Sequence, residues 1–254
     1  MHRDVDLAIT ALDSFIVTKM LRAVDLTIRH NPSTRLPITS DILKDIVAAA
    51  PVLGSLAPAF KFAVIAAYYG FLRQSNLAPH SPNSFNPREH TCRGDVVLHP
   101  PGLVIILKWS KTMQRGESAH LVPLPQRPSH PLCPLSAFHD MIQVAATLSP
   151  NHPLLQLPGQ AKSSLRERPL PPTQVVTVPH LTEALKRALL HIGRDPHRYS
   201  LHSLRAGGAT DAHRAGASPL DIKQHGAWAS HCFNRYLAPP SPKDAEIPKL
   251  LSKS

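Results

Sequence analysis

A histidine and an arginine stand three positions apart in residues 199–210, at His202 and Arg205. On a helix, side chains with this spacing share one face. A guanidinium suits the oxygens of a phosphate, and an imidazole can exchange protons near neutral pH. Gly207 and Gly208 follow and thin the helix, which permits close approach of a backbone or a ligand. The spacing is compatible with chemistry on a phosphate, but taken alone this short motif is more typical of a surface His and Arg on one helix.

Cleavage of a phosphodiester makes two demands on such residues. The leaving oxygen needs a proton, and the transition state carries extra negative charge on its equatorial oxygens. A bound metal can meet that charge, and so can several converging cations or neutral donors. The chain has 16 histidines, but no HxxxH pair combines with a carboxylate on one helix. The sequence therefore predicts neither a metal site nor a cofactor.

The bulk composition fits a polyanionic partner. Lys and Arg number 28 against 17 Asp and Glu, which gives a formal charge of +11 and an isoelectric point near 10.0. Such a balance indicates nucleic acid or an anionic membrane surface. The most apolar stretch, residues 62–72, has eleven residues. A bilayer span needs about 20, so we expect no membrane span.

The cysteines indicate a reducing compartment. Cys92, Cys133 and Cys232 are few, far apart and not arranged as a CxxC pair. This argues against a disulfide framework or a cysteine zinc site. The N-terminal residues are acidic and mixed, unlike a signal peptide. We expect an intracellular protein that is not secreted.

Hydrophobic periodicity predicts a mainly α chain of the α+β class. Helices are expected at 4–30, 42–50, 59–72, 134–148, 180–191, 200–215, 220–225 and 230–237. The one clear β signal predicts a small three-stranded antiparallel meander. Its strands are expected at 95–98, 103–109 and 120–124. A long proline-rich connection is expected at 150–178.

The continuation of the HxxR segment carries a family resemblance. Residues 211–228 read DAHRAGASPLDIKQHGAW, and Tyr236 follows. With the HxxR box this resembles the C-terminal half of the tyrosine recombinase (phage integrase) family, in which a helix-turn-helix stretch, a His or Trp and a Tyr follow the box. The 23 residues from Arg205 to Trp228 match members that use Trp. The eight residues from Trp228 to Tyr236 are one fewer than is common in bacterial and phage members.

The resemblance extends upstream. Residues 69–77, YGFLRQSNL, are similar to the first arginine box of the family, with Arg73 as the ligand. The WSKT sequence at the turn between the second and third predicted strands is similar to the family's hairpin lysine. Lys111 is the best match there, and Lys108, earlier on the strand, is the runner-up. One residue departs from the pattern, because Asn76 stands where the family usually has Glu or Asp.

The resemblance assigns the nucleophile and the phosphate ligands. Tyr236 attacks the scissile phosphate and keeps the 3′-phosphate as a phosphotyrosyl ester. Arg73 and Arg205 brace the non-bridging oxygens. Three other tyrosines lie away from the family position and read as packing residues: Tyr68, Tyr69 and Tyr199.

The resemblance also assigns the proton-transfer and neutral-donor residues. His202 acts as acid and base toward the tyrosine proton, and Lys111 protonates the leaving 5′-oxygen. Trp228 donates its indole N–H to the phosphate, a role compatible with its being a buried packing residue. His225 is a possible substitute for Trp228, three residues early.

The implied domain organisation has three parts. Residues 1–35 are the remnant last helix of an N-terminal core-binding domain with its linker. Residues 36–238 are the catalytic domain, and residues 239–254 are a proline-rich C-terminal tail. On this interpretation most of the clamp that holds the other side of the DNA is missing.

The implied function is site-specific recombination or integration of double-stranded DNA. Strands are cut and rejoined without metal or ATP, because the phosphotyrosyl bond stores the energy. Working assemblies are tetramers on paired sites, so a homo-oligomer is expected. The sequences WSKT and HSLRAGGAT are most similar to transposon-borne eukaryotic members, which favours the nucleus, with the cytoplasm as the alternative for another source.

Two other functions stay open. The first is an inactive or domesticated remnant that binds DNA, which Asn76 and the missing clamp favour. The second is strand relaxation of the topoisomerase IB type, which shares the same chemistry.

Overall fold

A computed structural model describes residues 35–100, 102–108, 119–144, 149–157 and 174–228. The chain divides into two units, Met1–Thr34 and Arg35–Ser254, and all described residues lie in the second. The helices predicted at 4–30 and 230–237 and the C-terminal tail lie outside the described residues. The proposed three-part domain organisation therefore stays a prediction.

Helices dominate the described part of the chain. They are α1 Ser40–Ala49, α2 Ala57–Tyr69, α3 Gln74–Leu77, α4 Pro134–Val144, α5 Val178–His191, α6 Leu201–Arg214 and α7 Pro219–His225. The strands are β1 Val96–His99, β2 Gly102–Leu107, β3 His120–Pro125, β4 Gln156–Leu157 and β5 Gln174–Val175. The predicted fold class, mainly helical with a small antiparallel sheet, is confirmed.

The three-stranded sheet is an antiparallel meander in the order β1-β2-β3, as predicted. On β2 the buried side chains alternate at Leu103, Ile105 and Leu107, which is the period-two pattern of a strand with one face on the core. The register pairs Leu107 with His120, the last residue of β2 with the first of β3. His120 therefore lies at the end of the sheet where β2 ends and β3 begins.

A second, smaller sheet was not predicted. Residues 150–178 were expected to be one long connection, but β4 and β5 pair antiparallel within it, Gln156 with Val175 and Leu157 with Gln174. Each strand has two residues, too few to show a period of alternation. The pairing joins the two described ends of the connection and leads directly into α5.

The helix α2 is buried on nearly all sides. Phe60, Phe62 and Ile65 are fully buried, and the ring of Phe62 packs on Phe138 of α4 with centroids 5.3 Å apart. A helix that is apolar all round belongs in the interior. Burying each Phe stabilises the fold by about 1.5–3 kcal/mol.

The end of α2 differs from the prediction. The helix was expected to run to residue 72 and deliver Arg73 at its C-terminal end, but it ends at Tyr69. Phe71 has φ of +47°, a left-handed conformation that cannot continue the helix. Apolar composition does not reveal this turn. Arg73 consequently has extended backbone and precedes the short helix α3.

Taken as one span, Ser40–Tyr69 is long and apolar enough to cross a membrane by length and composition, with half of its window buried inside the fold. The chain kinks at Gly54 within this span, where φ is +61°. Buried core helices pass the same test, so the span is weak evidence for a membrane.

Helix α6 lies very close to two neighbouring segments. A Cβ built on Gly207 would lie 1.7 Å from the carbonyl oxygen of Ile38, and one on Gly208 would lie 2.1 Å from that of Tyr68. The amide of Ile38 also donates to the carbonyl of Ser203 at 2.9 Å. Both glycines are therefore required by backbone contact, as the sequence suggested, and the contact is with protein backbone.

We predict that Gly207→Ala lowers the free energy of unfolding by about 1–3 kcal/mol, because the new methyl group has backbone rather than a flexible side chain in its way. Helix propensity alone favours Ala over Gly by about 1 kcal/mol, so the two effects have opposite signs. Chemical denaturation of the full chain measures the difference. An unchanged or higher midpoint would show that Ile38 and α6 are not in contact.

Candidate active site

Arg205 is buried inside the fold, with 2% of its surface exposed. Its Nη1 donates to the carbonyl of Phe71, and its Nη2 donates to the carbonyl of Gly226 at 2.7 Å. A buried charge is costly unless polar groups surround it. Here backbone carbonyls serve that purpose, and they fix the plane of the guanidinium.

The two carbonyls belong to turns that follow helices. Phe71 lies just past the end of α2, and Gly226 just past the end of α7. The negative ends of both helix dipoles therefore face the cation, which favours a charged arginine. Phe71 and Ala227 both have positive φ, +47° and +48°. Strained conformations of this kind persist where surrounding structure fixes them, and they are common at functional sites.

Trp228 covers the guanidinium of Arg205. The Arg205 Cζ lies 3.9 Å from the centre of the Trp228 ring, a cation–π contact. The indole is buried among Phe71, Ala209 and Ile222. Trp228 thus has the packing role considered from sequence and lies next to Arg205. Donation of its N–H to a phosphate stays a prediction.

Arg73 and Arg205 line one small pocket together with Asn76, His120 and His225. The pocket holds about 10 Å³, roughly the space of one water molecule. Arg73 is half-buried, whereas Arg205 is buried. The two arginines predicted to bind one phosphate, 132 positions apart in the chain, are therefore brought to the same place.

Asn76 performs a defined local task. It is 4% exposed, and its Oδ1 accepts from the backbone N–H of Arg73 at 3.0 Å. Its own carbonyl accepts from the hydroxyl of Thr91 at 2.6 Å. The amide oxygen thus holds the backbone of Arg73, an acceptor role that a carboxylate oxygen could also perform.

His202 lies on the first turn of α6, and its side chain is exposed. It is not among the residues that line the pocket of Arg73 and Arg205. The predicted helix is confirmed, and His202 and Arg205 both lie on it. The side chain of His202 is exposed, whereas that of Arg205 is buried. The acid and base role of His202 stays a prediction.

Lys108, the runner-up for the hairpin lysine, is held in an ion pair. Its Nζ lies 2.7 Å from Oδ2 of Asp95 and 3.6 Å from Sγ of Cys92. Burial alone would lower the pKa of Lys108. The hydrogen bond to Asp95 and the negative charge of Asp95 outweigh burial, so the pKa is raised. Its neighbour Leu107 lines the pocket, and strand alternation directs Lys108 to the other face. Lys108 is therefore poorly suited to donate a proton in the pocket.

Lys111 and Tyr236 lie outside the described residues, so their positions stay predictions. Of the three rival tyrosines, Tyr68 is buried and donates to Oδ2 of Asp211 at 2.7 Å. Burial and the carboxylate of Asp211 raise the pKa of the Tyr68 phenol above its usual value. A raised pKa disfavours the phenolate needed for attack. Tyr199 is buried at 8% exposure.

The structure adds a residue that sequence reasoning missed. His120 lines the pocket, and its Nε2 lies 3.1 Å from the carbonyl oxygen of His225. His225, considered as a substitute for Trp228, places its own Nε2 2.7 Å from the carbonyl oxygen of Tyr69. The only signal in the sequence was the position of His120 at the start of a predicted strand. Among the described residues, no group of three or more His, Cys, Asp and Glu could hold a metal.

We predict that Asn76→Leu lowers the free energy of unfolding by about 1–3 kcal/mol, because the amide of Arg73 loses its buried acceptor. Leu has the same number and branching of side-chain heavy atoms as Asn, without the acceptor oxygen. Asn83→Leu makes the same chemical change at an exposed position and serves as the control. Equal denaturation midpoints for both variants would contradict the acceptor role.

We also predict a pH dependence of stability from His225. Burial lowers the pKa of its imidazole below 6.5, the neighbouring charges of His120 and Arg205 lower it further, and the Tyr69 carbonyl opposes them. The unfolded chain therefore takes up the proton first as the pH falls. The stabilisation is complete above pH 6.5 and is lost as the pH falls through the folded-state pKa.

His225→Gln keeps an N–H donor for the Tyr69 carbonyl and does not titrate. We expect the unfolding free energy of the wild type to fall more steeply than that of His225→Gln between pH 8 and pH 5, a range of about 1.5 units on either side of the ordinary His pKa. Denaturation series at several pH values measure both slopes. Parallel slopes would show that His225 is not buried in its neutral form.

The chain is similar in fold to solved structures of two recombinases and an integrase. No protein-family model and no curated protein matches the chain. The XerH site-specific recombinase bound to its difH substrate is 13% identical with a TM-score of 0.55, and the match covers 84% of this chain and 53% of XerH. The XerA recombinase is 14% identical with a TM-score of 0.51, over 91% of this chain and 70% of XerA.

The Tn1549 transposon integrase, in complex with transposon right-end DNA, is 13% identical with a TM-score of 0.50. The match covers 89% of this chain and 68% of the integrase. The chain thus spans about half the length of XerH. At these identities the likeness concerns the fold, and the fold of this chain is that of the tyrosine recombinase catalytic domain, as the resemblance in its motifs predicted.

Proposed function

We propose that this chain is the catalytic part of a site-specific DNA recombinase or integrase that works through a 3′-phosphotyrosyl intermediate. One observation carries the proposal. The two arginines of two separate family motifs line a single pocket, and Trp228 of a third motif stacks on one of them. Unrelated surface arginines have no reason to converge in this way.

The described residues supply the electrostatic part of the reaction. The guanidinium of Arg205 is fixed by backbone carbonyls before any substrate arrives, so no reorganisation is needed as charge develops on the phosphate. Arg73, half-buried at the same pocket, is held through the bond between its backbone and Asn76. Because the pocket is narrow, a phosphate group meets it with its oxygen atoms.

The covalent steps fall to residues predicted from the motifs. In the proposed mechanism the phenol oxygen of Tyr236 attacks phosphorus and the bond to the 5′-oxygen breaks. His202 takes the phenol proton, and Lys111 gives a proton to the leaving oxygen. The reverse attack by a 5′-hydroxyl rejoins the strand and releases Tyr236. No cofactor enters these steps.

The proposed substrate is duplex DNA. The formal charge of +11 supports a polyanionic partner. The structure of XerH contains its difH substrate, and that of the Tn1549 integrase contains transposon right-end DNA. A protein that neutralises several phosphates loses affinity steeply as salt rises. A homo-oligomer on paired sites, a transposon-borne origin and a nuclear location are parts of the same proposal, drawn from the motif resemblance.

Two other functions share this pocket. A remnant that only binds DNA is favoured by Asn76 in place of the family acid, although Asn76 still holds the backbone of Arg73. Strand relaxation of the topoisomerase IB type would use the same residues without pairing two sites. Both make predictions that differ from recombination in a cleavage assay.

We predict that the wild-type chain forms a covalent adduct with a nicked duplex that loses a short fragment after cleavage. The lost fragment removes the 5′-hydroxyl needed for rejoining, so the adduct accumulates and a denaturing gel separates it. Tyr236→Phe abolishes the adduct because it lacks the nucleophilic oxygen. Tyr199→Phe, at a buried packing position, retains it and is the matched control.

The other outcomes of this assay are equally clear. If no adduct forms on any member of a library of sites, the result favours the DNA-binding remnant over the recombinase. If the adduct forms and supercoiled DNA is relaxed but strands of two sites are never exchanged, relaxation is correct. If the adduct survives in Tyr236→Phe, the nucleophile has been assigned wrongly.

A further inference from the structure

Two histidines that line the pocket are not among the six residues to which the motifs assign a role. They are His120, which opens β3, and His225, which ends α7. Both are half-buried, and both make hydrogen bonds to backbone carbonyls of distant segments. In each bond the imidazole nitrogen is the donor, because a carbonyl oxygen can only accept.

The carbonyls that accept from these imidazoles alternate with those that accept from Arg205. In the first turn, the carbonyl of Tyr69 accepts from His225 and the carbonyl of Phe71 accepts from Arg205. In the second turn, the carbonyl of His225 accepts from His120, and the next carbonyl, of Gly226, accepts from Arg205. Each turn is therefore held at two points, once by an imidazole and once by the guanidinium.

The ring of His225 is fixed by a second contact. It meets the ring of Phe71 edge-on, with centroids 4.7 Å apart. The same Phe71 provides a carbonyl to Arg205 and packs on Trp228. His225 thus joins the two turns through a hydrogen bond and an aromatic contact, beside the point where Arg205 joins them.

His120 brings the sheet into this arrangement. It is separated from His225 by 105 positions in the chain, and its bond links β3 to the end of α7. Its strand partner Leu107 lines the same pocket. In the sequence, Lys111 lies between Leu107 and His120, outside the described residues.

We propose that His120 and His225 are positioning residues of the candidate active site: they lock the two turns whose carbonyls orient the Arg205 guanidinium, and His120 ties the paired ends of β2 and β3 to the same point. The inference rests on the proposed function for its consequence in catalysis. It assigns these histidines no contact with DNA.

The physical reason is the shape of the guanidinium. It is a rigid planar fork, so two fixed acceptors set the direction of all its N–H groups. If one turn moves, the fork rotates with it. A displacement of about 1 Å at a catalytic group can slow a reaction roughly a hundredfold, even when substrate binding is unchanged.

The first test uses single-turnover cleavage of the nicked duplex by the full chain, measured against DNA concentration. We expect His120→Ala and His225→Ala to lower the rate at saturating DNA about tenfold to a hundredfold, with the half-saturating DNA concentration unchanged. His120→Gln and His225→Gln restore most of the rate, because the amide N–H of Gln can replace the imidazole donor. His99→Ala, at an exposed histidine of the same sheet, cleaves like the wild type.

The second test does not depend on cleavage. The indole N–H resonance of Trp228, identified by its loss in Trp228→Phe, reports on the contact with Arg205 in a ¹⁵N-labelled chain. We expect His120→Ala and His225→Ala to shift it, the two Gln variants to return it toward the wild-type position, and His99→Ala to leave it in place. If the wild type forms no adduct, the proposed function fails, and the resonance still decides whether the histidines hold Arg205.

Three results would overturn the inference. One is wild-type cleavage by His120→Ala and His225→Ala. Another is an indole resonance that neither Ala variant moves. The third is a pair of Gln variants that fold with the wild-type denaturation midpoint yet cleave as poorly as the Ala variants, because the hydrogen-bond donor would then be irrelevant.

Discussion

The site depends on how the fold accommodates one buried positive charge. The guanidinium of Arg205 is surrounded by carbonyls from two turns and by the face of Trp228. A guanidinium can be buried at tolerable cost only where its donors find acceptors. Because those acceptors are backbone groups, the position of Arg205 depends on where α2 and α7 end. The orientation of Arg205 is therefore set by the C-terminal ends of two helices.

The rest of the fold places those termini. The apolar helix α2 fixes the first turn in the core, and the left-handed backbone at Phe71 directs the chain back toward Arg73. Gly207 and Gly208 allow α6 to approach so closely that Arg205 reaches both turns. Asp211, on the same helix, accepts from Tyr68 and from the amide of Ser40 at the start of α1. Together with the bond from the amide of Ile38 to the carbonyl of Ser203, these contacts hold α6 on both sides of the arginine.

The departure at Asn76 has a limited structural consequence. Its oxygen holds the backbone of Arg73 in the way that a carboxylate oxygen could, but without a negative charge. The backbone of Arg73 is thereby held by a neutral acceptor rather than by a charged one. A missing negative charge beside Arg73 alters the electrostatic potential around its guanidinium, and not where its backbone lies.

The sequence by itself determined the helical class, the three-strand meander and the motifs, because periodicity and the spacing from Arg205 to Trp228 are local properties of the chain. It also predicted Lys111 and Tyr236, which lie outside the described residues. Only the tertiary structure decided that α2 stops before Arg73, that Lys108 pairs with Asp95, and that His120 reaches His225. These contacts join residues far apart in the chain, and local patterning carries no information about which distant carbonyl a side chain will meet.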